Sequence, residues 1–104
     1  DIIKVGTDFS RVITIMKRHG AIDIEKDIGL RSKSRPGVYN SASFWENGDY
    51  WIFIYATGGT KDNLVINRIE IGPKILGKIE WRTKSQQVSL VRIRQSGLEY
   101  RVVK

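Results

Sequence analysis

The sequence contains no cysteine, one histidine, one methionine and two prolines. Without cysteine the chain can form no disulfide, no thiolate metal site and no thiol nucleophile, a composition that is compatible with any redox compartment. A single histidine excludes a pair of histidine metal ligands and a two-histidine ribonuclease arrangement within one chain. No apolar run approaches the roughly 18 residues of a membrane-spanning helix, so we expect no transmembrane segment.

Sequence motifs for catalysis or cofactor binding are equally scarce. Residues 58–61, Gly-Gly-Thr-Lys, lack the spacing of a phosphate-binding loop, and no helical pattern follows them. The serines occur without a Gly-x-Ser-x-Gly elbow. We therefore predict that the protein is not an enzyme and uses no cofactor and no metal.

The chain that remains is 104 residues long, with 40% hydrophobic and 28% charged residues. This apolar share is too high for a disordered chain, and the length suits one compact domain spanning residues 1–104. The formal net charge is +7. Residues 64–104 hold most of it, with nine Lys and Arg against three Asp and Glu. Such an asymmetry is typical of a surface for nucleic acid, anionic lipid or an acidic partner protein, and also of a charge excess that serves only solubility.

Residues 8–19 carry the one clear helical period. Phe9, Val12, Ile13 and Met16 follow the i, i+3, i+4, i+7 spacing of a buried stripe. Thr7 or Asp8 can cap the amino end of this helix. At the carboxyl end Lys17, Arg18 and His19 complement the helix dipole, and Gly20 suits a left-handed exit. A helix this short must pack on another element.

The rest of the chain alternates as β-strands do. In residues 21–28, Ile22, Ile24 and Ile28 share one face, which predicts a half-buried strand. Residues 31–40 are polar and contain Pro36-Gly37, which indicates an exposed loop. Further strands are predicted over residues 50–55, 64–71, 88–94 and 98–103.

Asn47-Gly48 lies between two aromatic segments and predicts a hairpin with a type I′ turn. Residues 50–55 are apolar on both faces, as in a central strand. The element order predicts an α+β fold in which one N-terminal helix packs on an antiparallel meander sheet of about five or six strands.

Aromatic and basic residues are the best candidates for a contact surface. An exposed sheet face rich in both is typical of interfaces with proteins, and also of single-stranded nucleic-acid sites. The candidate binding residues are Trp45, Trp51, Arg82, Arg92, Arg94 and Arg101.

Two other functions stay open. The first is a nucleic-acid-binding domain that uses this basic and aromatic face. The second is a small toxin-like ribonuclease in which His19 works with Arg92, Arg94 or Tyr100, a constellation whose members lie in different elements. The carboxylates of Asp23, Glu25 and Asp27, spaced along one strand, favour a solvated strand face over a metal site.

Residues 3–12, Ile-Lys-Val-Gly-Thr-Asp-Phe-Ser-Arg-Val, and the helix ending at Gly20 resemble the start of small periplasmic BamE/SmpA-type domains of outer-membrane assembly lipoproteins and of β-lactamase-inhibitor-like repeats. The resemblance covers about the first fifth of the chain, and it assigns structural roles to Gly6, Thr7, Val12 and Gly20. It implies an exported, periplasmic or cell-envelope protein that binds other proteins. The expectation is therefore a non-enzymatic binding module whose partner is a protein, with its oligomeric state left open by the sequence.

Overall fold

The computed structural model describes residues 1–31, 37–75, 80, 84–95 and 97–103, and describes side chains within these ranges except over residues 24–31. The α+β class and the antiparallel meander are confirmed, with one helix and seven strands among the described residues. The elements in chain order are β1 (Ile2–Lys4), α1 (Ser10–Arg18), β2 (Ile22–Arg31), β3 (Tyr39–Asn47), β4 (Tyr50–Gly58), β5 (Val65–Pro73), β6 (Gln86–Arg94) and β7 (Gly97–Val102).

The strands from β2 to β7 form a meander in which each strand pairs antiparallel with the next. Strand β1 joins the same sheet by pairing with β6 from Leu90 to Arg92, beyond the segment of β6 that pairs with β5. The sheet exceeds the expected five or six strands because β1 has three residues, too few for alternation to identify it.

Helix α1 packs on one face of the sheet, which we call the helix side. Val12, Ile15 and Met16 are buried there. The prediction of residues 8–19 extends past both ends of the observed helix, and it omitted Ile15 from the buried stripe. Gly20 has φ 74°, so the expected left-handed exit is confirmed.

Asp8 supports the amino end of α1 without occupying the cap position. Phe9 is the N-cap residue and makes no capping hydrogen bond through its side chain. Asp8 Oδ1 instead accepts a hydrogen bond from the Ser10 backbone N–H at 2.9 Å. This bond, which stabilises the ionised carboxylate, lowers the pKa of Asp8 below its usual value.

The main core lies between α1 and the sheet. Trp45 is fully buried in it, as are Ile52 and Ile54 of β4. From the other strands come β1 Ile3, β5 Ile69 and Ile71, and β6 Val88, Val91 and Ile93. Apolar burial of this kind is the main source of folding stability.

The β3–β4 hairpin is confirmed, but its predicted turn type is wrong. Asn47 pairs with Tyr50, so the two central residues are Gly48 and Asp49 rather than Asn47 and Gly48. Among the described residues outside glycine none has a positive φ, whereas Gly48 has φ 56°. A positive φ at the first central position alone meets the requirement of a type II′ turn, for which glycine is preferred there.

The expected burial of Ile22 is also wrong, because its side chain is 59% exposed. Ile22 pairs with Glu46, and Asp23 pairs with the buried Trp45. Opposed residues of paired strands share a face, so Asp23 rather than Ile22 lies on the helix side at this point. A register shift between Asp23 and Glu25 then interrupts the simple alternation on which the prediction depended.

Strands β2 and β3 extend into the predicted loop of residues 31–40, with Arg31 paired to Tyr39. Pro36 of that loop lies outside the described residues. Of the helices in the part of the chain described, none has the length and apolar character needed to cross a membrane.

Candidate binding face

The sheet face opposite α1 receives two arginines from β6. Val91 and Ile93 are buried in the helix-side core. Side chains alternate between faces along a strand, so Arg92 and Arg94 point away from the helix. Both remain accessible, with side chains 41% and 52% exposed respectively.

Strands β1 and β7 add two further cations to the same face. Leu90 is next to the buried Val91 in β6, so it lies on the same face as Arg92. It pairs with Lys4 of β1 on one side and with Arg101 of β7 on the other. Residues that oppose each other across paired strands share a face, and the burial of Ile3 at 2% exposure confirms that Lys4 points away from the core. We call Lys4, Arg92, Arg94 and Arg101 the basic face.

One carboxylate lies within the basic face. Glu99 of β7 pairs with Arg92, and its Oε2 is 3.9 Å from Arg92 Nη1 and 3.6 Å from Arg94 Nη2. The Glu99 side chain is 59% exposed, and exposed ion pairs at these distances contribute little free energy. Four cations against one carboxylate leave the basic face with a net positive charge.

Aromatic rings occupy the same side of the sheet further along, on β3 and β4. Phe44 meets the rings of Trp51 and Phe53 edge to face, each at 5.3 Å between centroids. Phe53 in turn stacks on Tyr55 at 4.3 Å. Phe44 and Phe53 are only 1% and 7% exposed, so their neighbours cover these two rings almost completely. We call Phe44, Trp51, Phe53 and Tyr55 the aromatic cluster.

An ion pair on β5 separates the aromatic cluster from the basic face. Arg68 Nε donates to Glu70 Oε1 at 2.6 Å, and Ser85 Oγ donates to Glu70 Oε2 at 3.3 Å. The Glu70 side chain is 12% exposed, so this carboxylate is nearly enclosed while its main partner remains half in water. The two charges neutralise each other and add nothing to the net charge of the face.

The structure therefore places the candidate residues in three different settings. Arg92, Arg94 and Arg101 come together in the basic face. Trp51 belongs to the aromatic cluster, whereas Trp45 is fully buried on the helix side and is a core residue rather than a contact residue. Arg82 lies outside the described residues.

Sequence reasoning missed Lys4, which belongs to the basic face. The sequence of β1, Ile-Ile-Lys, gives only a weak signal, because Ile3 is buried whereas the equally apolar Ile2 is 42% exposed. A single alternation in a three-residue strand does not stand out from noise, and its pairing with β6 bridges most of the chain length.

A depression of about 530 Å³ opens at one end of the fold, between the carboxyl end of α1, the β3–β4 turn and the β6–β7 turn. His19, Arg94 and Tyr50 are among the residues that line it. The Asp1 carboxylate contacts both His19 Nε2, at 3.0 Å, and Arg18 Nη1, at 2.9 Å. We call the depression itself, at this end of the fold, the end depression.

The end depression unites only part of the ribonuclease constellation. Arg92 and Tyr100 are not among its lining residues. Tyr100 instead contacts Tyr50 edge to face, with ring centroids 5.9 Å apart.

Comparison with models of known protein families, with curated proteins and with solved structures yields no match.

Proposed function

We propose that this chain is a non-enzymatic binding module that contacts an acidic surface of a partner protein through the basic face. The observation that carries the proposal is the convergence of Lys4, Arg92, Arg94 and Arg101 from three strands onto the sheet face without the helix. We further propose an exported or cell-envelope setting, for which the support is the resemblance of residues 3–20 to small periplasmic domains.

The state of the aromatic rings favours a protein partner over a single-stranded nucleic acid. Stacking platforms for bases need open ring faces beside the cations. Phe44 and Phe53 are too buried to offer them, and Trp45 is in the core. Strand β5 with its Arg68–Glu70 pair also lies between the half-buried Trp51 and the basic face.

The test compares two variants with the same loss of charge. One replaces Lys4, Arg92 and Arg94 by Gln, and the matched control replaces the exposed Arg11, Lys17 and Lys61 by Gln. The probes are poly-L-glutamate, as an acidic polypeptide, and single-stranded RNA with the same number of charges. Binding is measured by fluorescence anisotropy at low and moderate salt.

We expect the wild type to bind polyglutamate with an affinity that falls as salt rises, because ionic screening weakens contacts between exposed charges. The basic-face variant should lose about tenfold or more in affinity, and the control less than about twofold. Equal losses in both variants would show that binding depends on overall charge and would contradict the proposal. Tighter binding to RNA than to polyglutamate would favour the nucleic-acid alternative.

A second candidate is ribonuclease activity in the end depression, which is favoured by the presence of His19 and Arg94 in its lining. There His19 accepts the proton of a ribose 2′-hydroxyl as that oxygen bonds to the phosphorus, and Arg94 stabilises the charge developing on the phosphate. The bond from phosphorus to the 5′-oxygen breaks, and the departing oxygen takes a proton from water. The contact with Asp1 orients the imidazole ring. This candidate requires RNA cleavage by the wild type that His19→Ala abolishes and Lys17→Ala preserves; an inactive wild type eliminates it.

A further inference from the structure

The outer edge of β7 is a sheet edge with which no described strand pairs. β7 pairs with β6 along its inner edge only. A strand edge offers a row of backbone N–H and C=O groups that can pair with another strand. Soluble proteins protect such edges with proline, bulges or like charges, and β7, Gly-Leu-Glu-Tyr-Arg-Val, has no proline and one charge of each sign.

The order of residues in β7 is complementary to itself. If two copies pair antiparallel about Tyr100, Glu99 of each copy opposes Arg101 of the other. Leu98 then opposes Val102, and Tyr100 opposes its own counterpart. Cross-strand pairs of opposite charge and of apolar side chains are stabilising, and a two-fold interface uses the same patch on both copies.

The neighbouring registers lack this match. Pairing centred on Glu99 places two carboxylates opposite each other, and pairing centred on Arg101 places two guanidinium groups opposite each other. Like charges directly opposed across strands are destabilising. The charges therefore select the register centred on Tyr100.

The exposure of the apolar side chains at this edge is a second, independent observation. Tyr100, Val102 and Val103 are 38%, 41% and 44% exposed, and they are three of the large apolar side chains left in water. Leu98 packs against the helix-side core, and Tyr100 contacts Tyr50 of that side. By alternation Val102 shares their face, so pairing would extend the apolar layer from one copy into the next.

We infer that two copies of this chain associate through β7, antiparallel and centred on Tyr100, so that the two sheets become continuous. The two-fold axis is perpendicular to the sheet, which puts both helices on one side and both basic faces on the other. The Glu99 carboxylate is available for the new pair, because its contacts with Arg92 and Arg94 are no shorter than 3.6 Å.

Charge reversal gives a self-contained test. Sedimentation velocity is measured from micromolar to sub-millimolar protein for the wild type, for Glu99→Arg and for Arg101→Glu. The wild type should reach the dimer mass, and each single variant should weaken dimerisation about tenfold or more because both interchain pairs become repulsive. An equimolar mixture of the two variants restores both pairs, since one chain carries two cations and the other two carboxylates. We expect the mixture to dimerise as the wild type does, and either variant by itself to dimerise more weakly.

The control reverses two adjacent exposed charges far from β7, Lys61→Glu and Asp62→Lys, and should leave the dimer unchanged. A wild type that stays monomeric throughout would overturn the inference. So would single variants that dimerise as strongly as the wild type, or a mixture of folded variants that stays monomeric.

A cross-link tests the same register without altering the charges. Because the chain has no cysteine, Tyr100→Cys introduces a single thiol. Opposed residues of antiparallel strands have Cα atoms about 4.5–5.5 Å apart, within the range that a disulfide spans. Mild oxidation should convert Tyr100→Cys to a covalent dimer much faster than Thr60→Cys, a variant in an exposed loop; equal rates would contradict the register.

Discussion

On one face of the sheet the strands of the main core carry the same chemical type of side chain, whereas on the other face the type changes from one strand to the next. On the helix side every strand of the main core contributes apolar residues, from Trp45 on β3 to Ile93 on β6. On the opposite face the side chains change from aromatic on β3 and β4 to an ion pair on β5 and to cations on β1, β6 and β7. The uniform face holds the main core, and the varied face carries the basic face proposed as the contact surface.

Strands β4 and β6 differ in the side chains that alternation places on the face opposite the helix. On β4 both faces are apolar or aromatic, with Ile52 and Ile54 on one and Trp51 and Phe53 on the other. On β6 apolar residues alternate with Arg92 and Arg94. The contact surface that we propose for an anionic partner therefore lies around β6, and the aromatic residues lie on β3 and β4.

The largest expected effect separates two tryptophans of the same hairpin. Trp45→Ala removes a fully buried indole from the helix side and should lower the free energy of unfolding by about 3–5 kcal/mol. Trp51→Ala, on the half-buried aromatic cluster, should cost about 1–2 kcal/mol because less apolar area is lost. Urea unfolding measures both. Equal costs would mean that the two faces contribute alike to stability.

The next effect separates two adjacent glycines. A Cβ at Gly58 would lie 2.1 Å from the backbone oxygen of Asn63, whereas a Cβ at Gly59 meets no atom within 4 Å. Gly58 lies against the backbone of Asn63, which directly precedes the helix-side core residue Leu64. Gly58→Ala should destabilise the protein by about 1–3 kcal/mol and Gly59→Ala by well under that, as thermal unfolding can show. A harmless Gly58→Ala would mean that this connection is not tightly constrained.

On the opposite face, Glu70→Gln should lower the free energy of unfolding by about 1–2 kcal/mol. The neutral amide weakens the bond from Arg68 and leaves a nearly enclosed polar group with poorer partners. Asp62→Asn is the matched control, because that carboxylate is exposed. A larger loss of unfolding free energy in the control variant would contradict a stabilising role for the Glu70 carboxylate.

The smallest effect concerns the amino end of α1. Because the pKa of Asp8 is lowered in the folded protein, its contribution to stability is present above the ordinary carboxyl pKa and is lost as the pH falls through the lower, folded pKa. Asp8→Asn should slightly reduce stability near neutral pH and should flatten the loss of stability in acid. Unfolding curves from neutral to acidic pH test this. An unchanged acid slope would indicate that the carboxylate has no role at the helix start.

The sequence supported the fold well where patterns were long and local. The stripe of α1, the left-handed Gly20 and the β3–β4 hairpin all depend on neighbouring residues, and each is confirmed. The exposed Ile22 and the added strand β1 were missed because they depend on pairing partners distant in the chain and on a register shift.

The candidate site could be predicted only in part, for a related reason. Alternation along β6 places Arg92 and Arg94 together, and the following hairpin adds Arg101. Alternation does not show which face of the β3–β4 hairpin the helix covers, so it cannot distinguish the buried Trp45 from Trp51 on the opposite face. Lys4 and Leu90 lie on strands that are paired in the sheet but distant in the sequence, so predicting their proximity requires the topology of the sheet.

The most direct test of the central claim is a titration of the isotope-labelled protein with poly-L-glutamate, followed by the backbone amide signals in NMR spectra. We expect the largest shifts at Lys4, Arg92, Arg94 and Arg101, with the amides of α1 nearly unchanged, because the basic face and the helix lie on opposite sides of the sheet. Shifts concentrated on α1, or spread evenly over every exposed cation of the chain, would contradict the assignment of the basic face as the contact surface.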